Sequence, residues 1–272
     1  ICVPNLIGNI ANWNEIYNFA KENNLKVIED SADTIGYSYK TDLDDWADVT
    51  TTSFYASHVV TGAGFGGMAT FKDKDSYDLA KSLRGLGRRS SLYGETEDYN
   101  RRFNCKVGDF DYDDKYVFDD LGYNFLPSEI SAAFGLIQLD NLEKNVKNRW
   151  DNFNILKSAF SNSHNFSTFR SYENVYTGWL AFPILLSGKL RGKRKQFQIF
   201  LEKSGIQTRT IFTGNILRQP VAKKFEWDSY GSFEISDEIM QNGVLLGCHN
   251  QMTEEKMNYM IEKIFEAESK IV

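Results

Sequence analysis

The chain is poor in the residues that would point to several common designs. Cys2, Cys105 and Cys248 are its only cysteines in 272 residues. They stand far apart with no CxxC pair, which argues against a disulfide framework or a zinc site and fits a reducing cytoplasm. Positive charge is in deficit: 31 Lys and Arg stand against 37 Asp and Glu, a formal net charge of -6. Nothing resembles a basic stripe able to displace counterions from a nucleic-acid backbone, so any anionic ligand must be met locally. No apolar run approaches the roughly 20 residues that span a bilayer, and the first residues show no basic stretch leading into an apolar signal segment. A soluble cytoplasmic protein, with neither nucleic acid nor membrane as partner, is the expectation.

What is present suffices for a large core, since 42% of the residues are hydrophobic, and one large domain plus a smaller one is expected. The chain opens on Ile1 in "ICVPNLIGN", an apolar strand running into a loop, so it is expected to start within a domain. "NWNEIYNFAKENN" then sets Trp13, Ile16, Tyr17 and Ala20 at helical spacing with Asn12 as N-cap, and "LKVIED" reads as a short buried strand. Strand, helix, strand at this range predicts a crossover unit of an α/β sheet, where ligands gather beyond the carboxyl ends of parallel strands. "DVTTTSFY" and "GGMATF" read as further strands and "DSYDLAKSLRGL" as an amphipathic helix. Residues 87–120 are polar, aromatic and irregular, long for a loop without its own role, and read as a lid or interface arm. "PSEISAAFGLIQLDNLEKNVKNRW" predicts one long helix with Ser128 as cap and Ile130, Phe134, Ile137 and Leu142 on or near one face. Thereafter strands ("GWLAFPILL", "IQTRTIF", "GVLLGC") alternate with helices ("KRKQFQIFLEKSG", "TEEKMNYMIEKIFEAE"), an α+β pattern.

One of only three histidines, His58, lies in "SFYASHVVTGAGFGG" between a β-branched run and a glycine-crowded turn. A buried strand-end histidine and a catalytic base are both open readings of it. Gly62, Gly64 and Gly67 formally satisfy GxGxxG, but the dinucleotide fingerprint requires a helix to open directly after them, and "MATFKDKD" reads as a strand. The glycines are instead expected to shape a tight turn that lets a ligand approach the backbone. Asp30 and Asp33 fall at a strand end, as solvated carboxylates or as ligands. Arg84, Arg88 and Arg89 read as a solvated face suited to a helix C-terminus, with anion binding as the lesser reading. Arg209 and Arg218 flank Asn215 and Gln219 in a segment polar enough to contact a phosphorylated ligand, although surface pairing is nearly as good a reading. His164 and His249 read as structural or incidental.

Taken in order, "VIEDSADTIG", "SFYASHVVTGAGFGG", "DDLGYNFLPSEISAAFGLIQL" and "GIQTRTIFTGNILRQP" resemble the DegT-type sugar aminotransferase family of fold-type-I pyridoxal phosphate enzymes over essentially the whole chain. The resemblance implies an α/β fold, with residues 1–145 as the C-terminal portion of a cofactor-binding large domain on a mixed, mostly parallel sheet and 146–272 as a smaller α+β domain. It implies that Asp30 pairs with the pyridine nitrogen of the cofactor, that Ser53 contacts its phosphate, and that position 58 is where aminotransferases carry the Schiff-base lysine. Histidine cannot form that bond. The resemblance is therefore to the branch of nucleotide-sugar 4-keto-6-deoxyhexose 3-dehydratases, which use pyridoxamine phosphate, with Asp33 and "GNILRQP" also of that type. It implies His58 as general base, histidine being a residue type that exchanges protons at neutral pH. It further implies Asp33 and Asn124 as cofactor contacts, Asn124 reaching across a homodimer, and Arg209, Asn215 and Arg218 as substrate contacts. Glutamate is the implied amino donor.

Two departures bear on this. Relatives of that branch that feed a reductase hold an iron-sulfur cluster on four cysteines, whereas "GRRSSLYGETEDYNRRFNC" offers only Cys105, so no cluster is expected. "TGAGFGG" is one residue longer than the family's usual turn. The family's N-terminal phosphate-binding turn has no counterpart before Ile1. An aminotransferase that tolerates histidine and a noncatalytic nucleotide-sugar or cofactor-binding protein are the rivals; against the first, Lys40 and Lys72 lie outside the motif.

Overall fold

The structure, a computed structural model, describes residues 1–39, 46–94, 97–171 and 175–272. The chain packs as two compact units, one of Ile1–Pro4, Asn12–Ala32 and Asp42–Leu139, the other of Asn5–Ala11, Asp33–Thr41 and Asp140–Val272.

The first unit is built on a sheet of four strands in the order β1 (Cys2–Pro4), β2 (Ile28–Asp30), β3 (Val49–Ser53), β4 (Gly67–Phe71). The first three are parallel, with Cys2 opposite Ile28 and Asp30 opposite Thr51, and β4 closes antiparallel with Ser53 opposite Gly67. Helix α1 (Trp13–Glu22) makes the crossover between β1 and β2, starting where the Asn12 side chain accepts the Glu15 N–H and burying Trp13 and Ala20. Trp13 stacks on Trp46 at 6.2 Å between ring centroids. Helix α2 (Lys74–Arg84) is capped by Asp73, whose carboxylate accepts the Ser76 N–H. Residues 87–120 are less irregular than their composition predicts. They contain a hairpin of β5 (Cys105–Val107) and β6 (Phe110–Tyr112), turning at Gly108 with φ +59°.

The single helix expected over 128–150 is two: α3 (Glu129–Leu139) and α4 (Leu142–Phe160). The break falls on Asp140 and Asn141, short polar side chains that compete with the backbone for hydrogen bonds. Nor does the predicted apolar face pack as a core: α3 buries no residue, with Ile130 78% and Ile137 62% exposed.

The second unit carries the main core. A three-stranded antiparallel sheet, in the order β9 (Gly243–Leu246), β8 (Phe182–Leu186), β7 (Phe166–Ser167), packs with α4, α5 (Arg194–Lys203) and α7 (Glu254–Ile271) around Phe153, Leu156, Phe160, Ile184, Leu201 and Ile264. Complete burial of such side chains stabilises by about 1.5–3 kcal/mol each before entropy is charged. Helix α6 (Glu234–Asn242) was not legible as a helix. The strand expected over "IQTRTIF" does not form: Arg209 alone pairs, with Leu245. The Thr208 N–H and hydroxyl are taken by the Glu202 carboxylate, and Phe212 turns the chain at φ +45°.

Candidate active site

The parallel strands fix one rim of the first unit. In β2, Glu29 and Asp30 point to opposite faces because strand side chains alternate. Glu29 is 2% exposed and held by three donors, the Ser31 hydroxyl at 2.6 Å, the Trp46 indole N–H at 2.8 Å and the Thr50 hydroxyl at 3.4 Å. That anchoring leaves Asp30 on the other face at the carboxyl end of β2, half-buried, its Oδ1 accepting the Ala32 N–H at 3.1 Å. Thr51 lies directly opposite Asp30, so Ser53, two residues on, shares that face and that rim. The Ser53 hydroxyl accepts the Tyr55 N–H at 3.2 Å.

His58 follows in the connection between β3 and β4, which is pinned at its neck by Phe54 N–H to Gly66 O (2.9 Å) and Gly62 N–H to Phe54 O (2.8 Å). Its own N–H closes a turn on Tyr55 O at 3.0 Å, and the buried Val59 and Val60 hold the next residues down while the imidazole is half-buried, edge-on to the Tyr55 ring. Ala63, Gly64 and Gly66 all take positive φ, and β4 starts at Gly67. No helix opens there, so the glycines shape a turn and not a dinucleotide fingerprint. A Cβ on Gly67 would lie 2.8 Å from Thr52 O, which accounts for glycine there.

Asn124 is exposed and pairs through its backbone with Gly85, flanked by Tyr123 and Phe125, whose rings stack 5.0 Å apart. Of the three arginines at the end of α2, Arg89 is clamped on Asp119 by two hydrogen bonds, while Arg88 lies over the Tyr116 and Phe118 rings. Lys72 follows β4 beside Asp48, the opposite end of β3 from Ser53. Lys40 lies outside the described residues.

The remaining sequence-predicted residues belong to the second unit. Asp33 is 7% exposed, and its Oδ2 accepts the Ile7 N–H at 2.8 Å. Asn215 and Arg218 are brought together by a residue the sequence reading missed, Asp237. It accepts from Asn215 Nδ2 at 2.8 Å and from the Arg218 Nε and Nη2 at 3.0 and 2.7 Å. These partners lower its carboxyl pKa to about 2. The available sequence signal is an acidic residue in "FEISDEIMQN", on a helix that faces the polar 213–219 segment. Asn215 also caps the 3₁₀ turn Ile216–Arg218 through Leu217 N–H. Arg209 is set apart from this pair, its Nη1 donating to Thr208 O at 2.7 Å.

A mostly parallel sheet with chemistry-bearing residues at its carboxyl rim, in a chain that also holds an α+β unit, is the architecture of fold-type-I pyridoxal phosphate enzymes. The profile of the DegT/DnrJ/EryC1/StrS aminotransferase family matches residues 1–265, and the chain belongs to that family. It is 31% identical over 271 residues to the lipopolysaccharide biosynthesis protein RfbH of Salmonella typhimurium, covering 98% of this chain and 62% of that one. It is 28% identical to the dTDP-4-dehydro-2,6-dideoxy-D-glucose 3-dehydratase of Saccharopolyspora spinosa, covering 98% and 58%. Among solved structures it superimposes with a TM-score of 0.83 on the E. coli GDP-4-keto-6-deoxy-D-mannose-3-dehydratase with bound hydrated PLP, at 23% identity, over 97% of this chain and 66% of that one. The chain thus spans about three fifths of the curated relatives it matches.

Proposed function

We propose that the chain carries the base and cofactor contacts of a nucleotide-sugar 3-dehydratase that uses pyridoxamine 5'-phosphate to remove the C3 hydroxyl of a GDP- or CDP-linked 4-keto-6-deoxyhexose. The division at residue 145 into a cofactor-binding portion and a small C-terminal domain belongs to the same reading. The observation that carries it is His58 in place of lysine, on a turn pinned to the strand that ends in Ser53, beside a strand that ends in Asp30.

The residues present fit such a cofactor by their chemistry. Asp30 offers a carboxylate at a strand end, with one backbone donor on Oδ1, as a protonated pyridine nitrogen requires. Ser53 on the same face offers a hydroxyl to a phosphate. When bound, pyridoxamine 5'-phosphate supplies an amine for the C4 ketone and a ring that accepts electrons. Asp30 keeps the proton on the ring nitrogen. His58 takes a proton from the carbon bearing that amine and, as imidazolium, stands as the acid for the departing C3 hydroxyl, so that water leaves and no net proton is consumed. Asp33 and Asn124 are assigned to the cofactor, Asn124 across a homodimer, and Arg209, Asn215 and Arg218 to the anionic substrate. Glutamate is the assigned amino donor.

The second reading is an aminotransferase, the reaction that gives the family its name. The position of Lys72, at the opposite end of β3 from Ser53, favours the first. The test incubates the full-length protein with pyridoxamine 5'-phosphate, glutamate and GDP- or CDP-4-keto-6-deoxyhexose and follows the nucleotide sugar by mass spectrometry. Loss of water, reduced at least about 100-fold by His58→Ala, is the expected result. Gain of an amine at C4 without loss of water overturns the reading.

A further inference from the structure

Two local penalties in the second unit converge on one carboxylate. The first is Ile7, a β-branched residue at φ +63°, followed by Gly8 at φ +95°. Side chains of this shape strongly avoid the left-handed region, and a Cβ on Gly8 would sit 2.9 Å from Trp179 Cα. The second is Arg149, 5% exposed, which makes no ion pair among the described residues. A buried guanidinium without a carboxylate is costly, and packed apolar side chains commonly replace such charges without loss of stability. Strain and buried charge that persist together indicate a requirement beyond packing.

Hydrogen bonds link the two. Arg149 Nη1 donates to the carbonyls of Trp179 at 3.1 Å and Leu180 at 3.2 Å. The Leu180 N–H donates to Ile7 O at 2.9 Å, and the Ile7 N–H donates to Asp33 Oδ2 at 2.8 Å. The loop around Ile7 is closed by a further bond, from the Ala11 N–H to the side chain of the fully buried Asn5. Both polar backbone groups of the strained residue are therefore committed, one to the segment that Arg149 grips and the other to Asp33. A relaxed, non-left-handed Ile7 would turn its N–H away from that carboxylate.

We propose that Arg149 and the Ile7–Gly8 bend are positioning residues for the Asp33 carboxylate, fixing Oδ2 so that the group presents one orientation. The proposal rests on the reading that Asp33 contacts the cofactor. It predicts that disturbing the bend weakens cofactor binding only while Asp33 is a carboxylate.

The experiment is a double-mutant cycle of Gly8→Ala and Asp33→Asn in the full-length protein, read as the Kd for pyridoxamine 5'-phosphate from tryptophan fluorescence quenching, with far-UV circular dichroism as the check on folding. The expected result is a loss of about tenfold for Gly8→Ala in the wild-type background, falling to less than about twofold beside Asp33→Asn. The same cycle with Arg149→Lys, which keeps the charge and places three donors on one nitrogen, is expected to show a smaller loss with the same dependence on Asp33; it decides the matter if Gly8→Ala does not fold. Losses that multiply independently overturn the positioning role while leaving Asp33 a cofactor contact. An Asp33→Asn variant with unchanged Kd overturns that reading and the proposal with it.

Discussion

The two units spend similar apolar sequence in different ways. In the second, Phe182, Ile184 and Leu186 of β8 are wholly buried, and Phe153 stacks on Trp179 with centroids 3.9 Å apart. In the first, α3 is among the most apolar stretches of the chain, yet it buries nothing, and most of β4 is exposed. The rim that carries Asp30, Ser53 and His58 is held by hydrogen bonds more than by apolar contact. Glu29 with its three donors and the pinned neck of the His58 turn do the positioning there. Apolar composition marks the large core of the second unit, while in the first unit it marks a smaller set of buried residues such as Trp13, Ala20, Val59 and Val60 and fails for α3 and β4.

The largest expected contrast is chemical. Cys2 is exposed and Cys105 half-buried in the first unit, whereas Cys248 is fully buried in the second, where burial pushes its thiol up to about 12. Because the thiolate is the nucleophile, Cys248 should react with iodoacetamide at neutral pH at least about 1000-fold more slowly than Cys2. Peptide mass spectrometry over a time course reads this directly. Labelling of Cys248 at the rate of Cys2 in the folded protein would break the comparison.

Next comes packing. Phe182→Ala should cost about 3–5 kcal/mol, the loss typical of a large aromatic removed from a packed core. Ile137→Ala should stay within about 0.5 kcal/mol, as exposed positions do. Urea unfolding of both variants measures the difference, and equal costs would show that α3 is as firmly packed as β8.

The sequence revealed most where one local rule was enough. Asn12 before an amphipathic run located α1, β-branched residues marked β3, and three spaced glycines without a following helix pointed to a turn instead of a fingerprint. It failed where an element depends on competition between forces. The apolar pattern runs on past Asp140 and Asn141, and the break between α3 and α4 at these two residues leaves no mark in it. "IQTRTIF" has strand composition, yet Glu202 claims the Thr208 donors. At the candidate site, Asp30 and His58 could be placed at strand ends from the pattern alone, whereas Ser53 was singled out only by the family resemblance. Glu29 and Asp237 were not legible, because their importance lies in partners distant in sequence: Trp46 and Thr50 for one, Asn215 and Arg218 for the other. Ile7 gave no signal at all, since nothing in "NLIGN" announces a left-handed isoleucine beyond the glycine that follows it.

The smallest effect tests whether surface electrostatics matter in the unit with the strong core. Asp237 has its pKa lowered to about 2, first by the Arg218 hydrogen bonds and then by Asn215. A carboxyl whose folded pKa lies below its unfolded value near 3.9 adds stability that is complete above that value and is lost as pH falls toward 2. The pair is solvent-exposed, so screening keeps the contribution small. Thermal midpoints of the wild type and Asp237→Asn should therefore differ by no more than about 2 °C at pH 7. The difference should hold down to about pH 4, shrink between there and pH 2, and diminish in 1 M NaCl at neutral pH. A difference that grew on acidification would give the pair the opposite sign, and one unaffected by salt would mean that Asp237 acts by holding Asn215 and the 214–218 turn in shape more than by pairing with Arg218.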